Sequence, residues 1–444
     1  MVFMKKLLIL AFVLPTIALA DDDCATRRTV PDGEQSLQDV IKLGLCRNPQ
    51  TAAAYASLQS SRFNKNAKYA NYLPSVSAGI SAGKDYRDKQ WKDWSYGASL
   101  SASYLIFDFG KRTADMNQML ATYRAAGFDF SETVQNFVYG LVGSYYELLN
   151  ADANVKSAES ALTVAQTAYD TANKKFKAGV VARADVLKAE TSLANSKLSV
   201  ERAKNNREIA KGTLLTKLSF PADQEIKIAD MSSTFGTDAE SESIDELLKV
   251  AREKRPDLLR ATANKDAAWH KRNSAFLKNL PSISAQARLG WNDDSFSDVF
   301  SPSSSQLNGS ISISASMPIF AGFANMYGLR AAEADYDRAK YNEQQTSNAA
   351  MMDVFTAYQN YKTAQTVLTQ TESLLKSATE SEKVTAGMYK VGRGTMLDWQ
   401  TAQSELIDAQ KQNNAAKYDL FIKRAAVALA IGDLKSELEG ATNE

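Results

Sequence analysis

A few residues in this chain have types and spacings that invite a chemical reading. Gly392-Arg393-Gly394 could cradle a phosphate, since glycines let backbone amides close on an anion. It lacks a third glycine at the right spacing and follows a helical pattern rather than a strand, so it is a poor nucleotide fingerprint. His270 is the single histidine and follows Trp269 in a lysine- and arginine-rich stretch, where a solvated helix residue is expected rather than a general base. Two cysteines and one histidine make no recognisable zinc set. Adjacent acids and bases such as Glu201-Arg202 and Arg207-Glu208 read as solvated helix faces. The residues point away from an enzyme, and no cofactor is expected.

The glycine turn gains meaning because it occurs twice. Tyr389-Lys-Val-Gly-Arg-Gly-Thr-Met-Leu-Asp398 echoes Phe176-Lys-Ala-Gly-Val-Val-Ala-Arg-Ala-Asp185 at an offset of 213 positions. Upstream, Leu73-Pro74-Ser75 answers Leu280-Pro281-Ser282 at an offset of 207, and Asn48-Pro49 answers Arg255-Pro256 at the same offset. Repeats at a fixed offset mean a duplication, which must be recognised before the fold is read. The expected organisation is a first repeat over 21–218 with a β-hairpin at about 74–107. A connector follows over 219–243, then a second repeat over 244–433 with a hairpin at about 281–320, and a tail over 434–444.

Residues 1–20 read as a bacterial secretory signal peptide, with Lys5 and Lys6 before an apolar run and Ala18-Leu19-Ala20 at the cleavage point. No other segment approaches the eighteen apolar residues of a spanning helix. Lys+Arg number 52 against 51 Asp+Glu, so bulk charge suggests neither nucleic acid nor an anionic surface. In an oxidising compartment Cys24 and Cys46 could form a disulfide pinning the N-terminal arm; two free thiols is the equal alternative.

Two patterns must position the turns. From Tyr96 to Ile106 apolar residues alternate with serine and glycine, and Leu307 to Met317 does the same. Strands of about ten residues, with a small uncharged polar face and Trp91, Trp94, Trp291, Phe296 and Phe300 at the loop ends, fit outer-membrane strands. Four such strands cannot close a barrel, so the protein must oligomerise. The remainder is helix, with no proline from Lys111 to Phe176; that length extends about 100 Å. Leu141, Ser144, Leu148, Ala151, Val155, Ala158, Leu162, Ala165, Tyr169, Ala172 and Phe176 repeat in heptads, as do Val186, Ala189, Leu193, Ser196 and Val200, which predicts supercoiled helices. A non-transport periplasmic coiled coil explains the heptads but not the strand patterning.

The duplication, the Leu-Pro before each strand, the Phe107-Asp-Phe-Gly110 boundary and above all the two turns resemble the TolC family of outer-membrane channels. The resemblance covers nearly all of the chain beyond the signal peptide. It implies a mainly α fold with transmembrane β: a homotrimer with a twelve-stranded outer-membrane barrel, four strands per chain, above a helical barrel in the periplasm. Such proteins are passive exit ducts, joined through a periplasmic adaptor (membrane fusion) protein to an inner-membrane ABC transporter or other pump. The segment Gly44 to Thr51 looks like the branch serving type I protein secretion; multidrug efflux is the alternative. By the same resemblance Gly179, Val180, Val391 and Gly392 would be the adaptor-docking tips. Asp185 and Tyr389 would hydrogen bond to restrain the periplasmic gate, and Asp398 would point into the pore in a threefold ring. Two departures stand out. Arg393 lies one place before the family's gating arginine, where this chain has Gly394, and Thr401 replaces a second aspartate. The second tip, with Trp399, is expected to be the mobile inner half of the gate.

Overall fold

The computed structural model describes residues 29–31, 33–229, 243–293 and 306–434. The segment expected to be a signal peptide, Cys24, Phe296, Phe300, most of the expected connector and nearly all of the tail lie outside the described residues. The chain forms two compact units, one of residues 1–55, 130–256 and 347–444 and the other of 56–129 and 257–346.

In the first unit the two repeats open in the same way. Helix α1 (Leu37–Arg47) starts from Ser36, whose hydroxyl accepts the Asp39 amide while the Asp39 carboxylate accepts the Ser36 amide. Helix α5 (Ile244–Lys254) repeats this capping box with Ser243 and Glu246. Helices α2 (Pro49–Lys68) and α6 (Pro256–Leu277) then begin on proline, whose missing N–H costs nothing in a first turn. Cys46 lies in α1 and is disulfide-bonded. The connector is anchored where β1 (Glu34–Gln35) pairs in parallel with β4 (Lys227–Ile228). Beside that pair Tyr145 donates its hydroxyl to the Ala229 carbonyl at 2.5 Å. The surrounding core holds Val40, Leu141, Leu148, Leu214 and Leu218.

The long helices are α3 (Lys111–Lys177), α4 (Arg183–Lys217), α7 (Ala324–Lys390) and α8 (Met396–Ile431). Many of their heptad positions turn inward, large and small alike: Leu141, Val354, Ala165, Ala172, Ala189 and Ala409 are all but inaccessible. Small side chains bring helix axes close enough for their larger neighbours to interdigitate. The heptad reading missed a second seam on α3. Ala161 and Ala168 are also buried, while Phe176, expected to end the seam, is 41% exposed. A helix packed on two sides buries more than one stripe, whereas a single heptad describes one partner. Asn413, which interrupts the apolar register of α8, is satisfied across the seam by donating to the Thr371 hydroxyl at 3.4 Å.

The second unit contains one antiparallel sheet of β2 (Ser75–Arg87), β3 (Gln90–Phe107), β5 (Ser282–Asp293) and β6 (Gln306–Ser316), ordered β2-β3-β5-β6. The β3–β5 ladder therefore joins the hairpins of the two repeats, and β2 and β6 are the sheet's edges. Register places Val76, Ile80, Leu100, Tyr104, Leu289, Ile311 and Ile313 on one exposed face. The other face carries serines whose hydroxyls bond across the ladder: Ser75 to Ser103 at 2.7 Å, Ser77 to Ser101 at 2.8 Å and Ser284 to Ser314 at 3.0 Å.

Two expectations about the sheet need correction. The first hairpin is longer than ten residues per strand, because Asp88 and Lys89 turn the chain with φ of 56° and 62° and Arg87 pairs directly with Gln90. Two residues of positive φ make the tight turn that matches strand twist, normally signalled by Asn or Gly. Trp91 and Trp94 thus lie within β3 rather than in a loop, Trp91 with its ring 5.2 Å from that of Tyr86. The polar face is also not wholly uncharged. Arg288 stands on it, opposite Ser101 and Ser310.

Candidate functional site: the paired helix tips

Both tips are built by one stop signal. At the end of α3, Val180 N–H donates to the Lys175 carbonyl and Gly179 N–H to that of Phe176, each at 2.9 Å. At the end of α7, Arg393 N–H donates to Met388 at 2.8 Å and Gly392 N–H to Tyr389 at 3.2 Å. This is the double closure of a Schellman motif, which requires a left-handed residue after the helix. Gly179 and Gly392 supply it, with φ of 74° and 80°. Gly394 is small for another reason: a Cβ there would lie 3.1 Å from Met388 Cβ and 3.3 Å from Tyr389 N. Gly394, where the resemblance implied an arginine, is here folded against the last turn of α7.

The helices leaving the tips start differently. Thr395 caps α8, its hydroxyl accepting the Asp398 amide at 3.1 Å and donating to the Asp398 carboxylate at 2.7 Å, while the Thr395 amide also donates to that carboxylate at 3.1 Å. Ala182 stands at the equivalent place before α4 and gives no side-chain bond, so Asp185 has no matching partner there. Hydrogen bonds from the Thr395 hydroxyl and amide hold the exposed Asp398 carboxyl below the usual carboxylate range. A depressed carboxyl adds stability above its unfolded value of about 4 and loses it as pH falls through the lower folded value. Amide exchange in the first turn of α8 should therefore quicken below about pH 4. A Thr395→Val protein should lack that step, and an identical profile in both proteins would exclude the cap as its origin.

Between the tips lies a small core of Ala168, Ala172, Ala189, Ala386, Tyr389, Met396 and Trp399. The rings of Tyr389 and Trp399 sit 5.5 Å apart, and the Trp399 indole N–H donates to Glu382 at 2.8 Å. Lys175 reaches from α3 to the end of α7. It donates to the Tyr389 carbonyl and holds its ammonium 4.4 Å from the Tyr389 ring centre. Two amides continue the stitching: Gln400 donates to the Lys188 carbonyl at 2.9 Å and Gln403 to that of Ala161 at 3.2 Å.

The expected hydrogen bond between Asp185 and Tyr389 is not formed. The Tyr389 hydroxyl is buried without a hydrogen-bond partner, because the ring is held between Lys175 and Trp399 within the apolar core. Burial pushes its pKa up, and the nearby Asp185 charge adds to that shift. Arg393 is exposed and makes no ion pair among the described residues. Of the residues singled out in the sequence, Tyr389 and Trp399 meet in one core, Asp398 caps its own helix, and Val180 and Val391 project with 66% and 73% exposure. Lys175 was missed: in the run Lys174-Lys175-Phe176-Lys177 nothing local distinguishes it from its neighbours.

Among the described residues no cluster of His, Cys, Asp and Glu could hold a metal, and no helix is long and apolar enough to cross a membrane. The chain matches the family described as outer membrane efflux protein over residues 40–218 and 247–433. It is 23% identical to protein CyaE of Bordetella pertussis over 91% of this chain and 86% of that protein. It is 22% identical to toxin and drug export protein A of Aggregatibacter actinomycetemcomitans, covering 89% and 85%. The crystal structure of the outer membrane protein VceC of Vibrio cholerae shares the fold, with a TM-score of 0.77 at 20% identity over 89% of this chain and 96% of that one. The chain belongs to the outer membrane efflux protein family, as its likeness to the TolC-type channels implied, and is a channel protein of the outer membrane that extends into the periplasm.

Proposed function

We propose that the protein is the passive exit duct of a tripartite system for type I protein secretion. Three chains would close one twelve-stranded barrel, with the helix tips docking to a periplasmic adaptor and, through it, to an inner-membrane ABC transporter. The observation carrying this reading is the open sheet. An unpaired strand edge cannot sit in lipid, and one chain supplies four strands with an apolar face and two edges. Further copies must cover those edges. The exposed Val180 and Val391 at the two turns supply six apolar contacts per trimer for an adaptor. The Gly44–Thr51 segment favours protein secretion. Small-molecule efflux is the second reading, supported by a relative whose name joins toxin and drug export. A strain lacking the gene decides between them: loss of a secreted protein with unchanged drug tolerance supports secretion, and drug sensitivity with intact secretion supports efflux.

At the mouth, three Asp398 carboxylates around the axis attract cations and repel one another. With Thr401 in place of a second aspartate, that ring is single. Divalent cations added from the periplasmic side should block the channel, and Asp398→Asn should weaken the block about tenfold. Equal block of both proteins in single-channel recordings would remove Asp398 from the pore.

A further inference from the structure

Arg288 is the only charged residue in the strand segments 75–83, 95–107, 282–291 and 307–316. Register puts it on the serine face, with Ser101 on one side and Ser310 on the other. Its side chain is exposed and has no ion pair or hydrogen bond among the described residues. The duplication makes the position more specific. At the offset of 207 the first repeat has Ser81 where the second has Arg288, so each chain brings one cation to this face rather than two.

In an outer-membrane barrel the apolar face meets lipid and the polar face lines the lumen, where a charge escapes the cost of about 2–4 kcal/mol that an arginine meets in mid-bilayer. Twelve strands spaced about 4.8 Å apart and tilted by about 40° close on a backbone diameter of about 24 Å. An extended arginine carries its charge several ångströms inward from that wall. Its guanidinium then lies within about 10 Å of the axis, the Debye length at 0.1 M salt, so the field spans the lumen.

We propose that three copies of Arg288 form a guanidinium ring on the wall of the barrel lumen, which binds anionic groups passing through and gives the membrane end a sign opposite to that of the Asp398 mouth. The inference rests on the trimeric duct reading. The wall around it is hydroxyl-lined, with three pairs of its serines bonded to one another, and these strand positions hold no acid to neutralise the ring. Carboxylates or phosphates are the groups it would hold, by forked hydrogen bonds that a planar guanidinium makes well.

The test uses the full-length protein reconstituted in planar bilayers, with inorganic tripolyphosphate added on the side of the strand loops. At 0.1 M KCl the wild-type channel is expected to be blocked, and the block should fade at 1 M KCl as screening shortens the field. Arg288→Gln should weaken the block about tenfold or more, and Arg288→Lys should retain most of it. A check that each variant remains trimeric separates folding from charge. Equal block of wild type and Arg288→Gln, or no block of the wild type, would overturn the ring. A purified protein that is trimeric in no detergent and conducts no current would overturn the duct reading itself, and the ring with it.

Discussion

Trp399→Ala is expected to be the most damaging single truncation at the tips. The indole is 2% exposed, packs against Tyr389 and satisfies Glu382, so removing it empties the centre of a core whose other members are mostly alanines. Alanines cannot swing in to refill the space, which puts the loss near the upper part of the usual range, about 3–5 kcal/mol for a large aromatic. The loss should be local. Limited proteolysis between 176 and 185 and between 389 and 398 should accelerate strongly, while the core around Leu141 and Leu214 keeps its protection. Trp399→Phe should recover most of the packing but leave Glu382 without its donor. Unchanged tip proteolysis in the alanine variant would mean that the aromatic pair does not hold the tips together.

The second large effect is expected at Lys175. Its ammonium ties α3 to the last turn of α7 in two ways, by a hydrogen bond to the Tyr389 carbonyl and by its place against the Tyr389 ring. That carbonyl also accepts Gly392 N–H, so the lysine supports the turn as well as the link. A cation at a helix C-terminus is favoured by the helix dipole. Because Lys175 is half-buried, solvent screening reduces the combined contribution to about 1–2 kcal/mol per chain. Each chain would then shift its tip equilibrium about 5–30-fold, and three tips opening together about 10²–10⁴-fold. Lys175→Gln should raise the open probability of reconstituted channels, with Lys175→Arg close to wild type. An open probability unmoved by Lys175→Gln would show that the contact does not restrain opening. The family resemblance implied a restraint at Tyr389 through Asp185 instead, and that hydrogen bond is not formed.

The sequence is most informative where one residue type answers one geometric demand. Gly179 and Gly392 were legible as helix-hairpin turns because a left-handed residue is needed there, and the helix lengths followed from the absence of proline. The strand faces were legible because serine or glycine and apolar residues alternate from Tyr96 to Tyr104, before Leu105 breaks the pattern where the β3–β5 register shifts. Legibility failed where the demand is set by a distant partner. Ala161 and Ala168 belong to a seam that a single heptad does not describe, since α3 packs on two sides. Asp88 and Lys89 turn a hairpin without glycine or asparagine, so β3 ran further than its alternation indicated. At the tips the contacts differ from those the resemblance implied. The buried hydroxyl of Tyr389 has no hydrogen-bond partner, and the lysine that touches its ring lies 214 positions away. Arg393 was assigned to the gate by the family resemblance, and it makes no ion pair among the described residues.

Subunit count and cell fraction bear most directly on the duct reading. The full chain, expressed with residues 1–20 in place, should appear in the outer-membrane fraction, require detergent for extraction and sediment as a trimer. That result follows if the open edges of the four-stranded sheet are closed by neighbouring copies within the membrane. A detergent-independent dimer in the soluble periplasmic fraction would contradict it, and would leave the apolar faces of Val76, Ile80, Ile311 and Ile313 without the lipid contact assigned to them.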